Sequence, residues 1–231
     1  IAAARPHAAT IRTFGRGERA DIRAREVVAV AGGSLVTAEL PTAALTFTIA
    51  QPGEHWVSNA LAVIGAVEAV GGDLAAAGLA LAELAGLKGR GERHRIEVAG
   101  GEALLIDESY NANPASMRAT LRTLGAETVS GKRIAVLGAM RELGETSDSF
   151  HAGLAEPLLA AGVDLAILVG DEMTPLAKAL GQKVKISHVA DASSALEPLR
   201  EAIGPGDAIL VKGSNSIGLA AVVEALASGK S

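Results

Sequence analysis

From Ile134 to Leu226 the chain switches regularly between two hydrophobic periods, and few folds accommodate that switching. Short apolar runs at Ile134–Leu137, Leu165–Val169, Val184–Val189 and Ala208–Val211 have the length of buried strands. Segments 148–161, 172–180, 191–203 and 216–227 repeat apolar residues at helical spacing instead. Strands and helices in strict alternation build a parallel sheet, because each strand must return to the same end through a right-handed crossover. The expectation is a doubly wound α/β domain of about 100 residues, Rossmann-like in architecture.

The upstream half reads differently. Ile11–Phe14, Ile22–Val30, Ser34–Leu40 and Leu45–Ala50 are β-type runs punctuated by Gly15, Gly17, Gly32-Gly33 and Pro41, as in a small meander. Val57, Leu61, Ile64, Val67 and Val70 then recur at threes and fours, predicting a helix over 55–70 that stops at Gly71-Gly72. Asp73 caps a second helix expected to reach Ala85. Residues Gly125 to Lys132 contain two Gly, a Ser and few apolar anchors, and read as a linker about which the last domain swings. The division expected is therefore 1–128 and 129–231. Hydrophobic residues make up 49% of the 231, enough for a core in each part.

A net charge of −5 argues against a nucleic-acid partner, whose phosphates demand a basic surface. Without cysteine there is no disulfide framework, thiolate metal site or Cys nucleophile. The sequence shows no apolar run near the ~18 residues that span a bilayer, so a cytoplasmic protein without a membrane partner is expected.

Chemistry concentrates in one stretch, Asp107-Glu108-Ser109-Tyr110-Asn111-Ala112-Asn113-Pro114. It follows the strand-like run Ala103–Ile106 and precedes a helical pattern from Met117 to Leu124. Asn113 is a good N-cap, and Pro114 suits a first helical turn because its missing N–H costs nothing there. The carboxyl end of a strand next to a helix start is where α/β folds bind ligands. Two carboxylates, a Tyr and two Asn exceed what a cap requires. Other candidates are His55 and Asn59, one turn apart at a helix start, able to meet a purine edge or simply to pack and face water. Arg95 opens the run Ile96-Glu97-Val98 in a basic stretch from Lys88; held by a strand, it suits a ribose or phosphate oxygen. Arg141-Glu142 and Lys212-Gly213-Ser214 follow strands of the alternating region, and the latter is either an anion seat at a helix start or a solvated loop.

These stretches together resemble the ATP-dependent Mur ligases of peptidoglycan synthesis, and among them the members that add D-alanyl-D-alanine to a UDP-N-acetylmuramoyl tripeptide. Gly53-Glu54-His55-Trp56-Val57-Ser58-Asn59-Ala60-Leu61-Ala62 is similar to the family's G-x-H-x-x-x-N-A-L-A segment, and Arg95-Ile96-Glu97-Val98 to its R-[M/F]-E-V strand start. Asp107–Met117 resembles D-[D/E]-[S/A]-Y-N-A-N-P-x-S-M. Gly138-Ala139-Met140-Arg141-Glu142-Leu143-Gly144-Glu145 resembles G-x-M-x-E-L-G-E, and Val211-Lys212-Gly213-Ser214 resembles V-K-G-S.

The resemblance implies that ATP phosphorylates a substrate carboxylate and that the incoming amine attacks the acyl phosphate, with Mg²⁺ as cofactor. Asn59 would hold adenine with His55 beside it. Arg95 and either Asp107 or Glu108 would hold the ribose, with Arg90 and Arg93 as weaker choices. Asn111, Asn113 and Lys212 would serve the reacting centre; Tyr110, Arg141, Glu142 and Ser214 would line the substrate cleft. The partners implied are small molecules (ATP, the UDP-muramoyl peptide and D-alanyl-D-alanine) acting on a monomer. Trp56 stands where many relatives carry Asn. The sequence lacks the family's G-x-x-x-x-G-K-[ST] phosphate loop, its magnesium ligands and its UDP-binding domain. The chain is therefore expected to be part of the central ATPase domain plus the whole C-terminal domain, inactive alone, and with no metal ligand of its own. Alternatives are a sister ligase such as a folylpolyglutamate synthase, or a non-catalytic adenosine- or peptide-binding module.

Overall fold

A computed structural model describes residues 10–84 and 88–228, which form two separate compact units. In the first unit, β1 (Phe14–Gly15) runs parallel to β2 (Ile22–Val30), and β3 (Gly33–Glu39) and β4 (Ala44–Ile49) continue the sheet antiparallel. Alternation decides its faces: Ile22, Ala24, Val36, Ala38, Phe47 and Ile49 turn inward, where Val57, Leu61 and Ile64 of α1 (Glu54–Ala69) and Leu81 of α2 (Leu74–Glu83) cover them. Asp73 caps α2 as expected, its carboxylate accepting from the amides of Ala75 and Ala76. The predicted extension of that helix to Ala85 lies outside the described residues.

The second unit is a six-stranded sheet in the order β5-β6-β10-β7-β8-β9: β5 (Glu92–Val98), β6 (Gly101–Glu108), β7 (Arg133–Gly138), β8 (Leu165–Val169), β9 (Lys185–Val189) and β10 (Ala208–Lys212). All strands from β6 onward are mutually parallel, and β5 pairs antiparallel with β6 as an edge hairpin. Strands buried on both faces have no polar side to show, which explains the unbroken apolar runs. Three helices pack on Ala135, Leu137 and Leu210, namely α3 (Pro114–Ala126), α5 (Ala155–Ala160) and α6 (Thr174–Leu180), and α4 (Ser147–Ala152) packs against α6. On the opposite face α7 (Leu196–Ala202) and α8 (Ala220–Ala227) pack on Ile134, Val136 and Ile209. Each such Leu or Ile side chain buried gains roughly 1.5–3 kcal/mol. Among the described residues no helix is long and apolar enough to cross a membrane.

Two expectations about organisation are corrected. The division falls at 85–86 rather than 128–129, because β6 pairs with β10 along its length, Leu104 opposite Ala208 through Glu108 opposite Lys212. Strand β6 is thus an inner strand of the later sheet. Residues 125–132 consequently join two strands of one sheet and are held on both sides. The Arg133 guanidinium donates to the carbonyls of Leu124 (3.2 Å) and Glu127 (2.9 Å), and the Lys132 amide donates to the buried Asp207 carboxylate (2.7 Å). A hinge at this point would break those bonds.

Candidate active site

The strand order creates the crevice. Strand β10 enters last, between β6 and β7, and its following helix lies on the face opposite to those following β6 and β7. Where neighbouring strands send their helices to opposite faces, the loops part at the carboxyl edge and leave room for a ligand. Glu108, Lys212 and the turn after Gly138 stand at that point.

Lys212 is the last residue of β10 and is 2% exposed. Its ammonium lies 3.4 Å from Glu108 Oε2 and donates to the Asn111 carbonyl at 2.8 Å. Burial disfavours both charges: it holds the Lys212 pKa below the usual lysine value and Glu108 above the usual carboxylate value, while their mutual attraction opposes each shift. Lys212 is thus no solvated loop lysine. Nor does it wait for a domain to close, since it already grips the Tyr110–Asn113 turn.

Asp107 and Glu108 divide their work. Asp107 is 1% exposed; one oxygen accepts from the Gly89 amide (2.8 Å) and the other from the Ser109 amide (3.0 Å). The Tyr110 amide returns a bond to the Gly89 carbonyl at 3.1 Å. Gly89 sits at φ +74°, and a Cβ there would lie 2.7 Å from the Tyr110 Cβ, so only glycine permits this approach. Asp107 locks two loops together, which leaves Glu108 as the carboxylate facing the crevice.

The structure brings in Arg90 rather than Arg95. The Arg90 guanidinium lies 4.3 Å from the centroid of the Tyr110 ring, and its charge reaches both Glu108 and Lys212. Arg95 stands opposite Leu104, four residues before Glu108, roughly 13 Å along the strand. Its side chain is 84% exposed, pairs with Glu102 at 3.4 Å and lines a cavity of about 440 Å³ away from this edge. Arg90 directly follows Gly89, and its exposed side chain lies over the half-exposed Tyr110 ring.

The two asparagines also separate. Asn113 caps α3 in a capping box with Ser116, so its side chain is committed to the helix. Asn111 is exposed, with its side-chain oxygen accepting from the Ala112 amide at 2.8 Å. On the far side of β10, the Ser214 hydroxyl accepts from the Arg141 amide (3.0 Å), and the Ser214 amide donates to the Ala139 carbonyl (3.1 Å). Arg141 pairs with Glu172, and Glu142 at φ 62° is the one non-glycine left-handed residue among those described. His151, which sequence reasoning missed, pins this turn from beneath. It is fully buried; Nε2 accepts from the Met140 amide and Nδ1 donates to the Ser147 carbonyl, each at 2.9 Å. A single histidine in a helical pattern gives no spacing signal.

His55 and Asn59 belong to the first unit, in the opening turns of α1; Asn59 is exposed, and the His55 ring is tilted 42° to that of Trp56 at 5.6 Å.

A family model described as "Mur ligase, glutamate ligase domain" matches residues 94–215. The UDP-N-acetylmuramoyl-tripeptide–D-alanyl-D-alanine ligase of Escherichia coli K12 is 34% identical over 208 residues, covering 89% of this chain and 44% of the relative. The Synechocystis enzyme of the same name is 38% identical over 177 residues, covering 75% and 37%. Among solved structures, MurF from Acinetobacter baumannii superposes with a TM-score of 0.78 at 28% identity, covering 95% of this chain and 47% of that one. MurF from Thermotoga maritima, in complex with ADP, gives 0.72 at 25%, covering 93% and 48%. The chain thus spans less than half the length of these relatives.

Proposed function

The chain belongs to the Mur ligase family, and on that premise we propose that it serves the ATP-dependent joining of D-alanyl-D-alanine to a UDP-N-acetylmuramoyl tripeptide. The observation that carries the reading is the buried Lys212–Glu108 pair beneath the Tyr110–Asn113 turn, at the switch point of the sheet. A sister ligase such as a folylpolyglutamate synthase, or a bare binding module, is less well supported, because the relatives at 34% and 38% identity carry the D-alanyl-D-alanine ligase name.

In the reaction proposed, the tripeptide carboxylate takes the γ-phosphoryl group of ATP and releases ADP. The dipeptide amine attacks the acyl carbon, and phosphate departs from the tetrahedral intermediate. Such chemistry is mostly positioning and charge neutralisation. We assign Glu108 to accept from ribose hydroxyls, while Arg90, stacked on Tyr110, offers a cation to anionic oxygens. Lys212 orients the carbonyl of Asn111, and its charge opposes the upward shift that burial imposes on Glu108, so that the turn presents one fixed face to the dipeptide. Arg141 and Ser214 border the other side of β10. For adenine the resemblance alone names His55 and Asn59, in the first unit. The resemblance implies Mg²⁺ as a cofactor, which would supply charge neutralisation to the phosphates. A cytoplasmic monomer working on small molecules completes the reading.

Ligand-observed NMR on the 231-residue chain with adenosine, ATP and D-alanyl-D-alanine tests it. Two or three hydrogen bonds at about 1 kcal/mol each, with some stacking, predict dissociation constants on the order of 1 mM. Adenosine and ATP should bind about equally, and Glu108→Gln should remove both responses. No response to any of the three ligands, or undiminished binding in Glu108→Gln, would overturn the assignment.

A further inference from the structure

We propose that Glu92, His94 and Asp107 form a binding site for a divalent transition-metal ion on the β5–β6 hairpin. The proposal is independent of the ligase reading. Glu92 and His94 are two apart on β5 and so share a face, and Glu92 stands directly opposite Asp107 in the ladder. One donor atom from each of the three lies within 4.8 Å of the other two.

The second observation is the imidazole. His94 Nε2 is buried, and among the described residues it has no hydrogen-bond partner. The nearest anion, Glu92 Oε2, is 3.7 Å away, too far for a hydrogen bond. A buried ring nitrogen left unpaired loses its solvation without replacement. Beside two carboxylates, a cation supplies what is missing. Metal–ligand bonds of 2.0–2.2 Å in a tetrahedral site set neighbouring donors roughly 3.3 Å apart. The 3.7 Å pair is already near that spacing, and the widest pair needs to close by about 1.5 Å.

The parts divide naturally between rigid and adaptable. Asp107 is immobilised by the Gly89 and Ser109 amides, yet each carboxylate oxygen retains a second lone pair. The Gly91 amide fixes the facing strand end by donating to the Asp107 carbonyl at 2.8 Å. Glu92 is 37% exposed at its side chain and has the rotamer freedom to swing in. One imidazole with two carboxylates suits Zn²⁺, Co²⁺ or Mn²⁺ better than Mg²⁺ or Ca²⁺, which prefer oxygen alone. Three protein ligands leave a position for water. An ion there would staple β5 to β6 one residue before Glu108.

The test is a Co²⁺ titration of the chelator-stripped 231-residue chain, followed by visible d–d absorption, with Zn²⁺ as competitor. Saturable absorption displaced by Zn²⁺ is expected, and Zn²⁺ should shift the assigned ring ¹⁵N signals of His94 and leave those of His188 unchanged. Loss of an outer-shell partner alone weakens metal sites about 10–100-fold. Removing a ligand in His94→Gln should cost at least about 100-fold, and Glu92→Gln at least about 10-fold. The ring signals are read on the unsubstituted chain, so a variant that folds poorly does not blunt the test. Absent saturation, binding unchanged in His94→Gln, or a Zn²⁺ response at other histidines alone would overturn the site.

Discussion

Two ion pairs stand at the carboxyl edge of one sheet, on either side of the crevice. In Lys212–Glu108 the side chains are 3% and 13% exposed; in Arg141–Glu172 they are 48% and 36% exposed. Both join a cation at one strand end to an acid at a neighbouring one. Water separates their roles. In the first pair, neither charge can be solvated if its partner goes, so the pair and the turn it grips stand or fall together. In the second, water replaces either partner at little cost, so the pair is free to open toward a ligand. One side of the crevice is a fixed wall, the other an adjustable one.

The largest effect should come from the fixed wall. Lys212→Ala leaves Glu108 buried without a counter-charge and the Asn111 carbonyl without its donor, a loss of about 3–5 kcal/mol. Urea unfolding followed by circular dichroism measures it. Adding Glu108→Gln should recover much of the loss, since the stranded charge is then gone; a Lys212→Ala chain as stable as its parent would erase the contrast between the pairs.

His151→Phe comes next. It strands the buried Met140 amide, for a loss of about 1–3 kcal/mol. Hydrogen exchange at Met140 and Arg141 should quicken with it, while exchange at Ser109 and Tyr110 stays slow. Equal loosening of both turns would show that the crevice has one wall rather than two.

Arg141→Ala should be the mildest, within about 1 kcal/mol in the same unfolding experiment. Its consequence belongs to ligand binding. A large fall in stability would place this pair in the same class as Lys212–Glu108.

Much of this architecture was legible from pattern. The runs at 134–137, 165–169, 184–189 and 208–211 correspond to β7, β8, β9 and β10, and Asn113-Pro114 starts α3 in the predicted way. These features are local: a strand's apolar run and a helix's cap are set by neighbours in sequence. The segment 148–161, expected as one helix, is two, because the helix breaks at Gly153-Leu154. The boundary near residue 128 failed for a different cause. A Gly- and Ser-containing segment looks alike whether it tethers two domains or crosses one sheet, and the partner that decides, β10, lies some 75 residues further on.

The site divides along the same line. Composition and order of motifs carried the chemistry, naming the Asp107–Asn113 turn, Lys212 and Arg141 with the family they resemble. Which of those groups meet was settled by register. Pairing Glu108 with Lys212 across β6 and β10 buries one carboxylate's partner, and the Gly89 approach fixes the other carboxylate in place. The hairpin register sends Arg95 outward, while the turn before it lays Arg90 on Tyr110. Residues remote in sequence acquire their charge state and their partners only when the sheet closes around them, since burial and distance fix both.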